Sequence, residues 1–141
     1  MNKTVKTTFE KFLEFLTAGN IYQASLKSKN KSGAEAKTKL SYAIEKVIKM
    51  NKSAIDYYNE ALEDVRIDNA AVDEKGVLLT DEKGSYRFTK DGIKKFNADI
   101  KALKAKEYEF HAHIISELPA DLDESLIKAL AGFVIEGDIN N

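Results

Sequence analysis

Between Leu40 and Val65 the chain carries two adjacent rows of apolar side chains, and no other feature restricts its possible folds as much. Ile44, Ile48, Asn51, Ile55, Tyr58, Leu62 and Val65 recur at spacings of 4, 3, 4, 3, 4 and 3. Leu40, Ala43, Val47, Met50, Ala54, Tyr57 and Ala61 run beside them at 3, 4, 3, 4, 3 and 4. This is the rhythm of an amphipathic helix, and two rows together are wider than the seam of a two-stranded coiled coil. Ser32-x-x-Glu35 has the form of a capping box, and no glycine or proline follows before Gly76. The pattern predicts one helix over residues 33–70, roughly 55 Å long at ~1.5 Å per residue. Asn51 is the polar member of its row. It either lies buried and fixes register or oligomeric state, or lies where the helix meets solvent.

A second helix is expected over residues 90–118, where Ile93, Phe96, Ile100, Leu103, Glu107, Phe110 and Ile114 step by 3 and 4 until Pro119 ends the run. Between the two lies an internal echo, Asp73-Glu74-Lys75-Gly76 repeated eight residues later as Asp81-Glu82-Lys83-Gly84. Aspartate favours turn starts and glycine supplies positive φ, so the runs on either side of the second copy read as a β-hairpin over residues 77–89. A lone hairpin is marginal in water and has to pack or pair. Val77, Leu79, Tyr86, Arg87 and Phe88 are therefore candidate protein-binding residues.

The ends add shorter elements. Thr7-x-x-Glu10 opens a helix over residues 8–18, closed by Gly19, with Phe9, Phe12 and Phe15 either in the core or on an exposed aromatic patch. Asp121-x-x-Glu124 opens a last helix over 122–132, and residues 137–141 form a frayed tail. The expected fold is mainly α: one domain over residues 1–141, an antiparallel long-helix pair or small helical bundle with a β-hairpin inserted between the long helices.

Chemistry is sparse. With 43% apolar residues the chain can build a core. Zero cysteines remove disulfides, thiolate metal sites and cysteine nucleophiles. His111 and His113 are the only imidazoles, and on a helix an i, i+2 pair points to different faces. The serines lie in no nucleophile-elbow context, and no phosphate loop is present. No enzyme, cofactor or metal is expected. The net charge of -1 conceals an asymmetry. Residues 1–52 carry 11 lysines against four acids, and residues 53–141 carry 11 basic against 19 acidic groups. Lys27, Lys29 and Lys31 lie in a polar stretch that reads as a loop and form a second candidate protein contact. Without interleaved aromatics or arginines, nucleic acid is a poor fit.

Phe12-Leu13-Glu14-Phe15-Leu16, Gln23-Ala24-Ser25, the long charged helix leading into Asp73-Glu74-Lys75-Gly76, Phe88 and a second Lys/Glu-rich helix together resemble a family of small bacteriophage-encoded proteins of unknown function. The resemblance covers residues 9–118. It implies a phage origin and carries no activity. The expectation is a non-enzymatic protein-interaction or structural protein, for example a virion accessory component, with a regulator of a host protein as the alternative. Its partners would be proteins, phage structural proteins among them, or further copies of itself. No secretory h-region or membrane span is visible, so a soluble protein in the infected cell or the phage particle is expected.

Overall fold

The computed structural model describes residues 2–29, 38–119 and 122–137. It corrects the expected bundle: the chain is a helix-rich α/β protein with a three-stranded mixed sheet. The order is β1 (Asn2–Thr8), α1 (Phe9–Lys29), α2 (Lys39–Met50), α3 (Lys52–Asn69), α4 (Lys90–Ala105), β2 (Glu107–Ile115), α5 (Glu124–Leu130) and β3 (Val134–Glu136). The sheet runs β1-β2-β3, with β2 antiparallel to β1 and parallel to β3. The chain forms two compact units. Unit 1 comprises residues 1–54 and 107–141, and unit 2 is an insertion of residues 55–106. One domain was expected.

β1 lies where no element was expected. Thr4, Val5, Thr7 and Thr8 are β-branched, and their stiff χ1 suits a pleated strand. The Thr8 hydroxyl accepts a hydrogen bond from the Lys11 amide at 3.3 Å and turns the strand directly into α1. This helix does not stop at residue 18. It runs through Gly19 to Lys29, because Gly19 is a contact with α2 and not a cap: a Cβ built there would lie 2.9 Å from Cγ2 of the fully buried Ile44.

The second correction concerns β2, where the helix expected over 90–118 ends at Ala105. Tyr108, Phe110, Ala112 and Ile114 alternate with Glu107, Glu109, His111 and His113 in a period of two. Phe110 and Ile114 are four apart, a spacing that helix and strand patterns share. Glu107, the one polar break in the helical series, marks the change. The last helix covers 124–130 and not 122–132, and the tail beyond Gly137 lies outside the described residues.

Phenylalanines fill the core of unit 1. Phe9, Phe12 and Phe15 are at most 1% exposed, so the aromatic side of α1 is core. Phe12 stacks on Phe110 at 4.6 Å between ring centroids. Phe133 meets Phe12, Phe15 and Phe110 at 5.4, 5.0 and 5.7 Å. Strand β2 and the turn after α5 thus converge on one helix face, with ring geometries that add to plain area burial. Leu40, Ala43, Ile44 and Val47 of α2 are fully buried as well.

The helix expected over 33–70 is two helices. Ser32 and Glu35 lie outside the described residues, and the capping box that opens α2 is Thr38 with Ser41. Thr38 Oγ1 accepts from the Ser41 amide at 2.9 Å, and Ser41 Oγ accepts from the Thr38 amide at 2.8 Å. Asn51, 2% exposed, ends α2 with φ -105 and ψ 20. Its Nδ2 donates to the Val47 carbonyl at 2.7 Å and to the His111 carbonyl at 2.8 Å. Its Oδ1 accepts from the His111 amide at 2.8 Å. Two residues beyond, the His113 amide donates to the Phe133 carbonyl at 2.8 Å on the β3 side of the ladder. The Asn51 side chain therefore supplies to β2 the donor and acceptor that a longer β3 would have supplied.

Replacing Asn51 with alanine strands both main-chain groups of His111. Buried polar groups without partners cost about 1–3 kcal/mol each. Asn51→Ala should lower the unfolding free energy by about 2–4 kcal/mol, measured by urea titration. The His111 amide should then exchange with solvent faster than its β2 neighbours.

Candidate interaction surface

Within unit 2, α3 and α4 run antiparallel. At one end, Asn69 Nδ2 donates to Asp99 Oδ2 at 2.9 Å, and a Cβ on Gly92 would come within 2.8 Å of the Asn69 carbonyl oxygen. At the other, the Lys106 ammonium bonds the Tyr57 hydroxyl and lies 4.9 Å from that ring's centroid. The helices carry opposite charge. α3 has five acids and two bases, and α4 has five bases and two acids. Yet this unit buries little: Tyr58 and Asn69 alone among its residues are buried, and α4 buries none.

The segment between these helices corrects the expected two-stranded hairpin. Both Asp-Glu-Lys-Gly copies form the same turn. Gly76 and Gly84 have φ of 83° and 81° and donate from their amides to the Asp73 and Asp81 carbonyls at 3.0 Å. Asp73 Oδ1 accepts from the amides of Lys75 and Val77 at 2.8 and 3.0 Å, and Asp81 Oδ1 accepts from Lys83 and Ser85 at the same distances. The segments joined by these turns close on themselves. The Ala71 amide donates to the Arg87 carbonyl at 2.7 Å, Arg87 to Leu79 at 3.0 Å, and Leu79 to Ala71 at 2.9 Å. Three residues spaced eight apart thus form a ring of backbone hydrogen bonds, flanked by the bridges Val72–Leu78 and Thr80–Tyr86.

The eight-residue period continues once more. Thr89-Lys90-Asp91-Gly92 follows in register, but there the Thr89 hydroxyl accepts from the Gly92 amide at 3.0 Å and opens α4. This third copy was not recognised from the sequence. The change from aspartate to threonine hid it.

The sequence-derived candidates divide between these roles. Val77 is 58% exposed and Leu79 37%, and Arg87 is exposed too. Tyr86 and Phe88 are half-buried braces of the arm. The Tyr86 hydroxyl donates to Glu63 Oε1 at 2.8 Å, and Glu63 also pairs with Arg66 at 3.3 Å. Phe88 meets Phe96 at 5.1 Å. The bond to Glu63, followed by partial burial, raises the Tyr86 pKa above 10.0. Beneath the arm, the Asn69 amide and then the Lys95 ammonium hold Asp99 below the usual carboxylate value. Residues missed by sequence reasoning are Ile67, Val72 and Ile93, 41%, 51% and 40% exposed, at the same end of the helix pair.

The lysine candidates fall only partly within the described residues. Lys27 is exposed on α1, Lys29 is the last residue of that helix where a loop was expected, and Lys31 lies outside the described residues. The histidines also need correcting. On a strand, i and i+2 share a face, so His111 and His113 point the same way. Among the described residues no group of three or more His, Asp or Glu side chains is arranged to hold a metal ion, and no helix is long and apolar enough to cross a membrane. Comparison with protein-family models, curated proteins and solved structures returns no match for this chain.

Burial, with the Lys46 ammonium nearby, holds the His113 imidazole below its ordinary 6.5. The unfolded chain then takes up this proton at a higher pH than the folded one. Stability is complete above pH 6.5 and declines as the pH falls from there through the folded-state value. Urea midpoints taken from about pH 7.5 down to about pH 5 should fall in the wild type, and His113→Gln should flatten that decline. In the arm, Gly84→Ala meets nothing within 4 Å and so carries the cost of positive φ alone, about 1–2 kcal/mol. Calorimetry should show that loss without a change in the exchange rates of β2 amides.

Proposed function

We propose that this chain is a non-enzymatic protein-interaction or structural protein that engages a protein partner through the arm end of unit 2. One observation carries the reading. Ile67, Val72, Val77, Leu79 and Ile93, each 37–58% exposed, gather where α3 ends, the arm folds back and α4 begins. Single exposed apolar residues are ordinary, whereas a concentration at one end of a small unit is the mark of a contact surface. The arm is suited to present them. Its backbone is fixed by the ring of hydrogen bonds and two identical turns, so little ordering remains to oppose binding. A phage origin, if the resemblance holds, favours virion or assembly proteins as the partner, with a host protein as the alternative.

The test is co-purification from cells in which the protein is naturally made, comparing the wild type with a Val77→Ser/Leu79→Ser variant. The wild type should retain a partner stoichiometrically, and the variant should retain at least tenfold less while keeping its urea midpoint. Several particle proteins would identify a structural component, and one host protein a regulator. Equal recovery by both forms would remove the arm as the contact.

A further inference from the structure

β1 is an edge strand, and its open side can be read group by group. His111 directs its N–H and C=O to Asn51, and His113 directs its N–H to Phe133, so both face the β3 side of β2. Their partners in the register are Thr4 and Asn2. In an antiparallel ladder, a residue whose partner turns away also turns away. The main-chain groups of Thr4, and by alternation those of Lys6, therefore point outward, where no described segment pairs with them. Beside this edge lies a groove of about 490 Å³, lined by Val5 and Thr7 of β1, Lys11 of α1, Lys128 and Ala129 of α5, and Phe133. Gly132 also lines it, and a Cβ there would meet nothing within 4 Å.

We infer that this edge accepts an extended acidic segment of a partner protein as a fourth strand, with alternate apolar side chains seated in the groove. Open main-chain groups supply affinity, and a groove beside them selects alternate side chains. Charge selects the occupant. Lys11 and Lys128 line the groove and Lys3 and Lys6 stand on β1, against Glu14, Glu107 and Glu109, of which Glu14 and Glu107 already lie 4.0 and 3.9 Å from Lys11 and Lys6. A second copy is disfavoured at the same place. β1 carries two lysines and no acid, and pairing it with itself sets like charges across the strands. The site is built from residues of unit 1 and the arm from residues of unit 2, so the proposal does not rest on the arm contact.

The probe is an end-blocked peptide of β1's own length, 7 residues, alternating glutamate with valine, beside a counterpart with lysine for glutamate. Amide chemical shifts of the full chain should move in β1 and α5 with the acidic peptide only, the amides of Thr4 and Lys6 should become protected from exchange, and added salt should weaken the effect. Thr4→Pro removes one outward N–H without breaking a bond to β2, and Gly132→Leu fills the groove. Each should weaken peptide binding at least tenfold, and Gly132→Leu keeps the test valid where the proline unfolds β1. Equal response to both peptides, shifts confined to other elements, or full binding by Gly132→Leu would overturn the assignment. So would a dimer in sedimentation whose Thr4 and Lys6 amides are protected without peptide, since a second copy would then hold the edge.

Discussion

The contact between the Asn51 side chain and the backbone of His111 is the constraint on which unit 1 depends. A carboxamide has a donor and an acceptor in nearly the spacing of a peptide group, so it can complete a strand ladder from outside the sheet. Asn51 does this while also bonding Val47 and ending α2. Helix termination and strand satisfaction are thereby one event. Placing α2 against β2 fixes where Ile44 meets Gly19, and hence how closely α1 and α2 approach. Strand β2 then brings Phe110 onto Phe12 and Phe133. A three-residue β3 suffices because Asn51 serves the next position along.

Unit 2 is organised by a different principle. Its helices carry opposite net charge and contribute few buried side chains, so order in the connecting arm comes from backbone geometry. Two aspartates hold two identical turns, two glycines take positive φ without steric cost, and three segments close a ring of hydrogen bonds. Such an arm can leave Val77 and Leu79 facing water because its shape does not rest on burying them. The insertion joins unit 1 through Ala54 and Glu107, and the contact of Lys106 with Tyr57 holds the two ends of unit 2 together.

Local patterns were legible wherever one periodicity acted alone. Leu40, Ala43, Ile44 and Val47 are core because the helical rhythm names them and no strand pattern competes. The Asp-Glu-Lys-Gly turns were visible from residue type and spacing. Phe110 and Ile114 misled because a spacing of four fits both periods. Asn51 misled because its row of apolar neighbours continues beyond it in unbroken heptads, so nothing in the spacing marks a helix end there. Of the candidate contact residues, Val77, Leu79 and Arg87 lie on the surface, whereas Tyr86 and Phe88 hold the arm against α3 and α4.

The sequence by itself determined the buried face of α2 and the turn chemistry of the arm, since these follow from side-chain type and local spacing. Tertiary structure alone decided that Asn2–Thr8 and Glu107–Ile115 become paired strands, that Gly19 is a close approach and not a stop, and that Asn51 bonds a residue 60 positions away. Strand pairing and buried hydrogen bonds are satisfied by partners distant in the chain, and no local periodicity encodes which partner will arrive.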